Sequence, residues 1–209
     1  MRGLILKDWY MTQKYCRSYL LIAVVFLVVS FAGDDNIFLA MYPCILFGMI
    51  PVNLLAYDER SRWQQYCGAL PYTEGQIVSG KYVIGLMAQV VMLLVTAVTQ
   101  ALRMPLNHTF QWTYFVEVLL IAFILSLVAS SIILPFVFKF GVEKGRIVYF
   151  VLLGVMGGGS FIALDVLQGN RMNHIPMNGV VPVLCLVGIG IYVLSWYLSV
   201  VFYKNRELQ

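Results

Sequence analysis

Two histidines, two acids near apolar runs and one glycine cluster are the groups in this 209-residue chain most able to do chemistry. A zinc hydrolase needs ligands gathered on one helix face, as in His-Glu-x-x-His, and neither His108 nor His174 stands in such a pattern. Glu117 and Asp165 each lie close to the end of an apolar run. An ionisable group there can line a path for a polar passenger or hydrate among lipid headgroups, and the second is the plainer expectation. Serines abound, yet none has a base beside it that could activate it. "GVMGGGS" at 154–160 is as glycine-rich as a phosphate loop but lacks the Lys-Ser/Thr ending and sits in an apolar run. Gly154, Gly157 and Gly158 are better suited to close helix contact. Cys16, Cys44, Cys67 and Cys185 show no paired spacing and read as reduced, structural thiols. The expectation is a chain that is not an enzyme, with no metal site and no cofactor of its own.

The elements around these groups are set by composition. Hydrophobic residues make up 61% of the chain and charged residues 11%, where a soluble domain carries about 25% charged. Mean hydropathy is +0.83. This predicts an all-α integral membrane protein forming a single unit over 1–209, with six spans at 18–33, 37–56, 82–102, 115–138, 147–167 and 180–202. Pro43 and Pro51 should bend or unwind the second span, since each removes a backbone donor. With the amino terminus cytoplasmic, twelve Lys and Arg fall inside and only Arg103 and Arg171 outside, a strong positive-inside bias. Both termini are then cytoplasmic. The run 19–32 has the length of a signal h-region, but the basic head before it is long for one, so the first helix is expected to stay. Asn107-His108-Thr109 matches a glycosylation acceptor by common chance and carries little weight.

Two inner segments are unusual. The head, 1–17, mixes Leu4, Ile5, Leu6, Trp9, Tyr10 and Tyr15 with four cations and one Asp. It reads as a helix lying at the membrane surface, Lys7 and Lys14 on its wetter face, or as a positive anchor that fixes topology. The connector 57–81 contains "DERSRWQQYCGALPYTEGQIVSGKY" (58–82) in its greater part. Upstream of Pro71, Asp58 and Arg62 can pair along a helix, while Trp63, Tyr66 and Leu70 recur on one face. Downstream, Thr73 with Gln76 is a capping-box pattern, so a helix restarts near Glu74 and continues into span three. From Glu74 to Leu102 it would measure roughly 44 Å, longer than the hydrocarbon is thick. A simple linker could be far shorter.

A transporter would need a path and an energy source. Asn53, Gln89, Gln100, Glu117 and Asp165 are the candidates to line a weakly polar path for an amphipathic passenger. No acid stands near a midplane and no inverted repeat is apparent, so the energy would come from a partner that docks on the inside.

Here the chain resembles the permease subunits of type-2 ABC exporters, the small bacterial kind with a separately encoded ATPase. The resemblance rests on "LILKDWY" at the start, Asp58-Glu59, Ala69-Leu70-Pro71-Tyr72-Thr73 and Val78-Ser79-Gly80-Lys81-Tyr82, each on the expected segment. It implies that 2–17 is an elbow helix and that 58–72 is a coupling helix seated in a groove of the ATPase. Asp58, Glu59, Arg62, Trp63, Tyr66, Leu70 and Pro71 would then make the dock. It implies two ATPase subunits, which bind ATP and Mg, and a second permease chain, identical or similar. It also implies residence in the bacterial cytoplasmic membrane among lipids, with no nucleic-acid role. Some relatives of this kind export amphipathic peptides and others serve resistance to peptide antibiotics, so the implied cargo is an amphipathic peptide or a peptide- or lipid-like antibiotic. The contrasting reading is a non-transporting membrane scaffold or sensor that regulates a neighbouring enzyme.

Overall fold

The computed structural model describes residues 2–15, 17–32, 37–67, 72–106, 112–145, 147–148, 151, 154 and 177–205. Among the described residues there is helix and turn but no strand. The helices are α1 (Arg2–Tyr15), α2 (Arg17–Ala32), α3 (Ile37–Phe47), α4 (Ile50–Arg60), α5 (Trp63–Cys67), α6 (Glu74–Leu106), α7 (Trp112–Phe140) and α8 (Met177–Lys204). Among the described residues, four stretches are long and apolar enough to cross a membrane: Met41–Arg60, Glu74–Arg103, Phe115–Phe140 and Leu184–Lys204. The pair Gly3–Tyr15 and Arg17–Ser30, bent by 59°, adds a fifth if taken as one span. The expected span at 147–167 lies almost wholly outside the described residues.

Span two is broken where glycine and proline dictate. The Gly48 N–H donates to Ile45 O (3.1 Å) and Cys44 O (3.3 Å), and the Met49 N–H donates to Leu46 O (3.0 Å), tightening the turn between α3 and α4. Pro51 has no N–H to offer the preceding turn, so it suits the start of α4 and not the middle of a longer helix. The break lets α4 run close to α6: a Cβ on Gly85 would lie 2.5 Å from Pro51 Cγ, so only glycine fits. α6 starts at Glu74, where the Thr73 N–H donates to Gln76 Oε1 (3.3 Å), one half of a capping box. Its 33 residues would extend about 50 Å, well over the hydrocarbon thickness.

Among the described residues, two apolar clusters hold the bundle. One joins Val52, Leu55, Val78, Tyr82, Leu134, Val137 and Phe138 from α4, α6 and α7. The other joins Ala23, Leu27, Phe47, Ile50, Leu54, Ile84 and Ala122 from α2, α3, α4, α6 and α7. α7 and α8 form the most extensive helix pair. The outer faces remain apolar: Leu21, Val25 and Val28 on α2, Leu94 and Val98 on α6, and Leu186 and Leu194 on α8 are all exposed. Rows of this kind suit lipid or another apolar chain, not water.

Candidate functional site

The described part of the expected coupling segment, residues 58–67, begins beside α1 and the first turns of α6. α4 delivers Asp58 and Glu59 there and ends at Arg60. The chain then turns through Arg62, whose φ of 52° is left-handed, a strained conformation for a residue with a side chain. This turn overturns the expected Asp58–Arg62 helical pair. The helix stops before residue 62, and Asp58 turns inward to stronger partners.

Those partners form a cluster of four charges on three helices, buried except for Lys7, whose side chain is 23% exposed. Asp58 Oδ1 accepts from Lys7 Nζ at 2.8 Å, and Asp58 Oδ2 accepts from Lys81 Nζ. Lys81 Nζ also donates to Asp8 Oδ1 at 2.8 Å, and Lys7 Nζ lies 3.3 Å from the same oxygen. The side chains of Asp8, Asp58 and Lys81 are 2%, 5% and 3% exposed. Two cations and two anions make the cluster neutral, which suits a site where Asp8, Asp58 and Lys81 are closed to water and Lys7 forms the partly exposed edge. Lys7 also lies 4.1 Å from the centre of the Trp63 ring on α5, a cation–π contact. Tyr15 stacks on Tyr57 at 4.2 Å, a second tie between α1 and α4. Lys7 was expected on the wet face of the head; the structure turns it inward because Asp58 and Asp8 are there.

The remaining dock candidates divide by exposure. Glu59 Oε2 accepts from the Val142 N–H at 3.3 Å, joining α4 to the segment after α7. Ser61 Oγ donates to Asp58 O at 3.2 Å. Arg60, Ser61, Arg62 and Tyr66 face outward, with Tyr66 68% exposed. Trp63 is half-buried under Lys7. Cys67 is buried at the inner side of α5; burial pushes its thiol above the ordinary value, Lys7 and Lys81 pull it down, and Asp58 and Asp8 push it up. Leu70 and Pro71 lie outside the described residues.

The pathway candidates are scattered over several helix contacts. The Asn53 amide donates to Tyr19 Oη (2.8 Å) and Met49 O (3.1 Å), bridging α4 to α2. Gln89 Nε2 donates to Ser126 O and Ser130 Oγ, both at 3.1 Å, bridging α6 to α7, while Gln89 Oε1 is buried with no hydrogen-bond partner among the described residues. Gln100 is buried on the same face of α6, and Glu117 is half-buried on α7. Asp165 lies outside the described residues. Among the described residues no group of three His, Cys, Asp or Glu could hold a metal ion.

Two features escaped the sequence reading. Asp8 and Lys81 stand in the sequence as head and connector charges and within the elements "LILKDWY" and Val78–Tyr82, with no sign that they pair, although Lys81 stands three residues after Val78 and next to Tyr82, both core residues, so it belongs to an inward stripe. The second is a hydroxyl chain. Ser195 Oγ donates to Ser131 O at 2.6 Å, and Tyr82 Oη lies 2.7 Å from both Ser195 Oγ and Ser199 Oγ. Because Ser195 spends its proton on Ser131, Tyr82 donates to Ser195 and Ser199 donates to Tyr82. Tyr192 Oη donates to Tyr82 O at 2.8 Å, so the chain fastens α6, α7 and α8.

A family model described as "ABC-2 family transporter protein" matches residues 3–204. No curated protein and no solved structure matches the chain.

Proposed function

This chain belongs to the ABC-2 transporter family and is a multi-pass membrane protein, and we propose that it is the membrane-spanning subunit of an ATP-driven exporter. In this reading two permease chains, identical or similar, enclose the path, and two cytosolic ATPase subunits bind ATP and Mg and supply the energy. Both termini are cytoplasmic, in a bacterial cytoplasmic membrane, as the distribution of Lys and Arg favours. The ATPase grips the segment 58–72 from below. The cargo is an amphipathic peptide or a peptide- or lipid-like antibiotic, a class suited to the long apolar faces that α6 and α8 present.

The observation that carries this reading is the contrast within the coupling segment. Its base at Asp58 is sealed in a neutral ion cluster, while its tip presents Arg60, Ser61, Arg62 and Tyr66 to the outside. A tip that is exposed and strained at Arg62, on a base that is fixed, has the form of a lever and not of a linker. Arg62 and Tyr66 then contact the ATPase directly; Trp63 works through Lys7 and Asp58 through the cluster.

The test is purification of the chain with the ATPase encoded beside it. The expected result is a stable complex whose ATP hydrolysis exceeds that of the ATPase alone. Arg62→Gly combined with Tyr66→Ala should lower this gain about tenfold, a loss of about 1.4 kcal/mol at the contact. Insertion should be unchanged, because glycine accepts the left-handed turn and Tyr66 is exposed. Absence of a complex with any neighbouring ATPase would reject the reading.

A further inference from the structure

We propose that α1 is part of the coupling element itself, with Asp8 and Lys81 as positioning residues that fasten α1 and the start of α6 to Asp58. A push on α5 is then delivered to α1, α4 and α6 together. The inference rests on the reading of 58–72 as the ATPase dock.

The cluster supplies the reason. A helix that only anchors the chain to headgroups needs exposed cations, and Lys14 at the far end of α1 is of that kind. Asp8 is different: it is the one acid of the head, and it is buried, aimed at a lysine 73 residues away. Lys81 holds one carboxylate from α1 and one from α4, so it is the hub. Moving α4 away from α1 and α6 would take Asp58, 5% exposed, from both of its lysines and leave Lys7 and Lys81 to share Asp8 alone, an imbalance that buried charges do not tolerate. The three helices must therefore shift as one body or the cluster must open. Trp63 makes the link to the tip, since its ring lies against Lys7 and any tilt of α5 is felt there first.

Cys67 is a natural reporter of such opening. It is buried at the base of α5, with its thiol held protonated mainly by burial, so a maleimide reacts slowly while the cluster is closed. The experiment uses the full chain with Cys16, Cys44 and Cys185 changed to Ser, reconstituted with its ATPase in phosphatidylglycerol–phosphatidylethanolamine vesicles. Asp8→Asn and Lys81→Met should each speed Cys67 labelling about tenfold, the effect of about 1.4 kcal/mol of lost closure. Asp8→Asn with Lys81→Met should recover part of this, because the neutral Lys7–Asp58 pair remains. The gain in ATP hydrolysis given to the ATPase should fall in the singles, return in part in the double and persist in Lys81→Arg. If Lys81→Met does not insert, Asp8→Asn with Lys7→Gln provides the same cycle, leaving Lys81–Asp58.

Unchanged labelling in the singles, strictly additive effects in the double, or fast labelling with a normal gain in ATP hydrolysis would overturn the inference while the dock stands. A wild-type chain that binds no ATPase rejects the dock, and the inference falls with it even if labelling reports a closed cluster.

Discussion

The ion cluster at the end of the bundle and the hydroxyl chain between α6, α7 and α8 both tie helices together through buried polar groups, but in opposite currencies. The cluster uses full charges on Lys7, Asp8, Asp58 and Lys81. The hydroxyl chain uses neutral donors on Tyr82, Ser195, Ser199 and Tyr192. They meet on α6, where Lys81 and Tyr82 are adjacent in sequence and belong to different systems. A serine hydroxyl left without its partner can still bond the carbonyl a turn before it, whereas a charge left alone in a closed site cannot be satisfied locally. The cluster should therefore behave all-or-none, and the hydroxyl chain by degrees.

The sharpest way to break that contrast is Asp58→Leu. It removes one of the two acids that both lysines share and leaves Lys7 and Lys81 with Asp8 alone. Breaking a buried pair of this kind costs about 3–5 kcal/mol, so the variant should unfold at much lower temperature in detergent or fail to accumulate. A melting curve by fluorescence-detected size exclusion checks it. A loss under about 1 kcal/mol, the range of surface pairs, would mean that water reaches the cluster.

Tyr82→Phe probes the neutral side with a smaller expected effect. It deletes one hydroxyl and two hydrogen bonds while keeping the ring against Tyr192. Helix-to-helix hydrogen bonds within membranes average about 0.6 kcal/mol, so a loss of about 1 kcal/mol is expected for the two. The same melting curve decides the matter. A loss as large as that of Asp58→Leu would erase the distinction between charged and neutral ties.

How much of this was legible in the sequence depends on the same distinction. Length of apolar run and charge balance made the membrane helices readable, and the Thr73–Gln76 spacing marked where α6 begins. The connector 57–81 stood out as too long and too polar for a simple link. Its inner wiring was not visible. Asp58 had an eligible partner four residues away in Arg62, and local pairing is the natural first reading of such a spacing. The structure prefers Lys7 and Lys81 because the chain turns at Arg62 and because a buried carboxylate gains more from two cations, one buried and one half-buried, than from one exposed one. Serines in apolar helices carry no directional signal at all, since each can bond within its own helix, as Ser130 does to Ser126 O. The order Ser199, Tyr82, Ser195, Ser131 exists only once α6, α7 and α8 are packed.

Gln89→Met gives the smallest effect and the finest test of the neutral side. Gln89 donates to Ser126 O and Ser130 Oγ, so it resembles a strong tie between α6 and α7. Its other half works against it, because Oε1 is buried without a hydrogen-bond partner among the described residues and an unpaired polar atom in that position costs free energy. Methionine keeps nearly the same length, removes the orphaned oxygen together with the two donated bonds, and leaves Ser130 free to keep its own bond to Ser126 O. The gain and the loss oppose each other, each of order 1 kcal/mol, so the stability read from the melting curve should move by no more than about 0.5 kcal/mol in either direction. A loss above about 2 kcal/mol would show that Oε1 has found a partner such as a bound water, making Gln89 a full member of the polar core and not a half-satisfied one.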